Sequence, residues 1–140
     1  MGYFLYFVII SALIGVLILA AYYMYAQHLS KSSGWDDLAL RYPAENEPSG
    51  QILKYQTLMV GNTIFNKSIS FGATEDGLYL SSWFTSQPLL IPWYEIRRGK
   101  EAGLGAQKGY VIKIGDPVSG TLTLPMQLYI LVQSYTEHRR

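Results

Sequence analysis

The chain has no cysteine in its 140 residues, which excludes disulfides, thiolate metal sites and cysteine nucleophiles and leaves the redox compartment open. Histidine is almost as scarce. His28 follows an apolar segment and His138 lies two residues from the C-terminus. This distribution assembles neither a His-based triad nor a multi-histidine metal site, and both read as solvated end residues. Charged residues make up 15% of the chain and the net charge is +1, without the clustered basic excess that phosphate neutralisation demands. Nucleic acid is therefore not an expected partner. From Tyr3 to Ala26 there is no Asp, Glu, Lys, Arg or His at all.

What fills that stretch is YFLYFVIISALIGVLILAAYYMYA, 24 residues that would make about 36 Å of helix, slightly more than a hydrocarbon core of roughly 30 Å. Tyr3, Phe4, Tyr6 and Phe7 gather at one end and Tyr22, Tyr23 and Tyr25 at the other, where aromatic rings favour the headgroup level. A cleaved signal peptide is the competing reading. It would need a basic n-region, a shorter apolar run and a small-residue cleavage site, and the sequence offers none of these clearly. The expectation is a single-pass anchor at residues 1–26. Lys31 and, further on, Arg41 lie on the C-terminal flank with no Lys or Arg before the segment, which leans the remainder towards the cytoplasm. Ser11 and Gly15 form a small-xxx-small pair suited to close helix–helix contact.

Residues 27–33, QHLSKSS, read as a short polar juxtamembrane tether. Trp35, Leu38, Ala39 and Tyr42 then recur at helical spacing. Ser33 and Asp36 sit in capping-box-like positions and Pro43 ends the run, predicting a short helix whose apolar face packs on the domain. Extended patterns follow. Strands are expected at 51–60, 63–74 and 78–83, the last two hinged at Glu75, Asp76 and Gly77. Further strands are expected at 89–96, 110–114 and 121–124, with Pro92 marking an edge or a bulge and Gly115, Asp116, Pro117 and Gly120 turning the last pair. After Pro125, the stripe Leu128, Leu131, Val132 and Tyr135 predicts an amphipathic helix, with a last strand as the alternative. Residues 34–140 thus form one α+β unit, a PH-like antiparallel β-barrel or sandwich with a short preceding helix and a C-terminal helix.

The segments SGWDDLALRYPAE, GLYL and PLLIPWYEI resemble a pattern, SGWxxLAxxYPA, GLYL and PLxIPWxEI, found in a family of small uncharacterised bacterial single-pass membrane proteins. The resemblance spans roughly residues 32–97. It departs at Thr85, Ser86 and Gln87, where relatives commonly carry a basic, His-Pro-like stretch. It implies a bacterial inner-membrane location and no biochemical activity.

Asp36 with Asp37, and Glu75 with Asp76, are adjacent pairs explained by helix N-terminal and turn chemistry rather than by acid–base catalysis. Glu95 reads as an outward strand residue paired with Arg97 or another base. Residues 97–109 bring Arg97, Arg98, Lys100 and Lys108 together with four glycines, a candidate loop for an anionic headgroup or a partner. No GK[ST] follows, so it is not a P-loop. Residues 92–140 hold seven Lys and Arg against four Asp and Glu, net +3, while 27–91 hold four against six, net −2. The expectation is a non-enzymatic module without metal or cofactor. Its partners would be the bilayer and either a membrane protein or a second copy of itself.

Overall fold

The computed structural model describes residues 2–48, 50–83, 85, 87–115 and 117–138, with side chains left out at 29–32, 137 and 138. Ser86 and Asp116, and the side chains of Lys31 and His138, therefore lie outside the described residues.

α1 runs Gly2–Ser32. It does not stop at residue 26. Gln27 to Ser32 contain no glycine or proline, so nothing in the sequence breaks the helix before Gly34, which takes the left-handed conformation at φ 85°. The segment expected as a tether is thus the last turns of a rigid rod. α2 (Trp35–Arg41) starts at once, with Gly34 as its N-cap and Asp36 and Asp37 in its first turn. Ser33, just before the cap, accepts from the Trp35 N–H through its Oγ at 3.3 Å. Trp35 and Leu38 are fully buried, so the apolar face of α2 does pack on the domain.

Seven antiparallel strands follow: β1 (Leu53–Val60), β2 (Thr63–Thr74), β3 (Gly77–Ser82), β4 (Leu89–Ile91), β5 (Ile96–Leu104), β6 (Gln107–Ile114) and β7 (Gly120–Pro125). They form one curled sheet, a half-barrel, in the order β4-β3-β2-β1-β7-β6-β5. The β1–β7 seam rests on only two residue pairs, Met59 with Thr123 and Val60 with Leu122, while the outer strands pair over longer stretches. α3 (Met126–His138) closes the chain as a helix. Pro125 ends β7, so the helix begins one residue later than its proline suggested.

Two expectations on the strands need correction. The strand expected at 89–96 is split: Pro92, at φ −60°, offers no N–H to a ladder. Its carbonyl instead accepts from Glu95 N–H at 3.0 Å, closing a 3₁₀ turn over Trp93–Glu95. The glycine-rich loop expected at 97–109 is a hairpin, β5 and β6 joined at Gly105 and Ala106, with Leu104 opposite Gln107. Gly105 takes φ 60° while Ala106 does not have positive φ, which fits the Gly-X two-residue turn that matches strand twist. Gly99 is required there for another reason, because a Cβ at that position would lie 2.0 Å from the Val111 carbonyl oxygen of β6.

The core lies inside the curl. Leu58, Val60, Phe65, Ile69, Phe71, Leu78 and Leu80 line it from one half, and Ile112, Ile114, Leu122 and Leu124 from the other. Trp35 fills one side, donating Nε1–H to the Gln87 carbonyl at 2.8 Å. Trp93 fills another, donating to the Thr74 carbonyl at 2.7 Å. Both rings thereby bury large apolar areas while their single polar group stays paired.

Candidate functional site

The half-barrel is open on the side where β2 turns into β3. Leu53 pairs with Phe71 across β1 and β2, and the ladder from there continues to Thr74 and Gly77, where Glu75 and Asp76 make the turn. α3 crosses the sheet beside this end. Leu128 and Val132 are buried against the sheet. One turn further, Tyr135 stacks on Trp93 with centroids 5.0 Å apart and planes 13° from parallel. Trp93 is itself held by its bond to Thr74, so β2, the 3₁₀ turn and α3 are locked together around one spot.

Between them lies an open cavity of about 520 Å³, within the size range of small-ligand and side-chain pockets. Leu53, Phe71, Ala73, Leu131 and Tyr135 give it apolar walls, and Glu75 and Asp76 stand on its rim. Leu131, expected on the buried stripe of α3, instead lies at the edge of the helix and lines the cavity, and it remains 37% exposed. Further round the same helix, Met126 and Ile130 are 50% and 55% exposed. The cavity therefore joins a few apolar side chains to a lining that is more polar than apolar, with Gln51, Thr74, Glu75 and Asp76 around it. Among the described residues, no group of three His, Cys, Asp or Glu converges as a metal site.

The four basic candidates do not converge. Arg97 is paired across the ladder with Lys113, on strand residues exposed to solvent, while its neighbour Arg98 faces Ile112 and borders Tyr129, Gln133 and Thr136 of α3. Lys100 sits where a bulge shifts the register between Arg98 and Glu101. Lys108 is near the hairpin tip, 3.6 Å from Glu101. A ladder alternates its faces, so one ligand does not meet all four. Ser11 and Gly15 lie on α1, and a Cβ built at Gly15 would meet nothing within 4 Å, so that face is not covered by this chain.

Glu95 also differs from its expectation. It lies in the 3₁₀ turn, half-buried, and accepts a hydrogen bond from the Tyr42 hydroxyl at 3.3 Å. Arg41 donates to Ser119 Oγ at 2.8 Å, so the end of α2 is tied both to the 3₁₀ turn and to the β6–β7 turn. Burial, and then the Glu95 carboxylate, push the Tyr42 hydroxyl above its ordinary pKa of 10.0. These contacts are those of a structural clasp. No known protein family, curated protein or solved structure matches the chain. Sequence patterning missed the cavity, since its walls come from separate segments, Leu53 on β1, Phe71 and Ala73 on β2, and Leu131 and Tyr135 on α3.

Proposed function

We propose that the chain is a bacterial inner-membrane protein with one span, whose PH-like domain is a non-enzymatic interaction module for a membrane-associated protein partner. The observation that carries this reading is the exposed apolar face of α3, Met126 and Ile130, on a helix whose Leu131 lines the open cavity. Exposed apolar area that the chain itself does not cover is a usual mark of a partner seat. The strand order and the closing helix support the PH-like comparison as a likeness of architecture, which by itself carries no activity.

None of the apolar window of α1 is buried by the rest of the chain, unlike the core helix of a soluble fold. One further observation favours a retained anchor over a cleaved leader. The end of the same helix is built into the domain: Ser33 is only 5% exposed and its carbonyl oxygen would lie 2.5 Å from a Cβ on Gly61.

A photo-crosslinking residue at Ile130 in the full-length protein, in its native membrane, tests the partner seat. A discrete adduct is expected from position 130 and none from Lys67, an exposed residue of β2. Absence of any adduct at 130, 126 and 131 would sink the reading.

The alternative, an anionic headgroup at 97–108, has one favourable observation. Arg97 lies directly opposite Lys113, which places two cations side by side on the exposed hairpin. It predicts salt-sensitive vesicle binding that weakens when both are replaced by Ala.

A further inference from the structure

The apolar length of α1 sets where its aromatic ends lie. From Tyr3 to Tyr22 the helix rises about 29 Å, close to the roughly 30 Å of hydrocarbon it would cross. Tyr22 is then at the headgroup level on the domain's side, the depth that Trp and Tyr favour. The helix continues ten residues further, to Ser32, or about 15 Å outward. A domain attached at that height would ordinarily stand clear of the lipid. This one folds back.

Trp83, in the turn that follows β3, stacks on Tyr22 with centroids 5.9 Å apart and planes 21° from parallel. It is the one tryptophan of the three that the core does not take: Trp35 and Trp93 are buried, while Trp83 is 66% exposed. Tyr22, at 39%, is among the least exposed of the large apolar residues on α1. Ala26, one turn on, is also partly covered, as is expected if this face of the helix is turned towards the domain.

We propose that Trp83 is a second membrane contact, seated in the headgroup layer beside Tyr22, so that the turn after β3 rests the domain on the lipid surface. This inference rests on the reading of α1 as a span. The occupant of the exposed Trp83 face is lipid, because its stacking partner is fixed at headgroup depth by the length of the apolar helix. A domain held in this way has one edge against the bilayer and two rigid attachments to it, the helix end and the indole.

The test uses the full chain in vesicles whose lipids carry bromine either near the headgroup or near the end of the acyl chains, with tryptophan emission as the readout. Shallow bromine should quench the wild type more than deep bromine, and W83F should lose that component while Trp35 and Trp93 still emit. Equal quenching of wild type and W83F would overturn the inference. So would quenching by deep bromine alone. A spin label at W83C, the sole cysteine of such a variant, gives a second measure. Its collision rates should match a headgroup-depth label at Y22C rather than an aqueous one at K67C, and an aqueous result overturns the inference. Release of the protein from vesicles by alkaline carbonate would remove the anchor reading itself. Retention with an aqueous label at 83 would remove only the second contact.

Discussion

Gly61 is the residue at which the helix end and the sheet meet. It closes the β1–β2 turn at φ 59°, donates to the Thr121 carbonyl at 2.9 Å, and has the Ser33 backbone directly over its α-carbon. A methyl group there is opposed twice, by the left-handed backbone and by a carbonyl oxygen that is not free to move aside. G61A should cost more than about 1 kcal/mol, read as a lower midpoint in denaturant with an unchanged slope. Tyr42 gives a prediction in pH. Its folded pKa is raised, so the native state holds the proton longer than the unfolded chain does. The contribution is complete below about pH 10, the unfolded value, and falls away as pH rises through the higher folded one. Stability measured from pH 9 to 12 (roughly the Tyr range) should decline above about 10, and Y42F should flatten that limb. An identical decline in Y42F would show that other groups govern it.

Elements differ in how openly the sequence displays them. α2 was legible because Trp35, Leu38 and Tyr42 keep helical spacing between two punctuating residues, and it acts as a plug. Leu38 is fully buried, with its side chain 3.0 Å from where a Cβ on Gly120 would sit. L38A leaves a cavity with little freedom to collapse and should cost about 2–5 kcal/mol in an unfolding titration; a loss under 1 kcal/mol (about the cost of a surface change) would mean that α2 is peripheral. In the hairpin of β5 and β6, the strand at 110–114 was legible but β5 was not, for a physical reason. Most of β5 faces solvent, with only Ile96 and Leu104 buried at its ends, so no apolar alternation marks it. Its charges also discourage pairing of this edge with other chains. The cavity was hidden differently: Leu53, Phe71, Leu131 and Tyr135 each look like ordinary core positions, and only the curl of the sheet leaves them at an opening.

At the scale of the whole molecule, the decisive fact is that α1 does not become flexible before it reaches the domain. A flexible tether would let the domain turn freely against the apolar helix. A helix continuous to Ser32 fixes both its height and its rotation. Inserting two alanines between Gln27 and His28 should then rotate the domain by about 200° and raise it by about 3 Å, carrying Trp83 to the far side of α1 from Tyr22. Because the chain has no cysteine, the geometry is readable without background in a Y22C, W83C variant treated with a short thiol-to-thiol crosslinker. The native spacing should give the intramolecular crosslink in high yield, since the two rings it replaces are in contact. The two-residue insertion should abolish it, while two alanines inserted after Met1, before the rigid segment, should leave it unchanged. A crosslink that survives the insertion at 27 would mean that the last turns of α1 unwind to let the domain find Tyr22 again, and α1 would then carry the domain without orienting it.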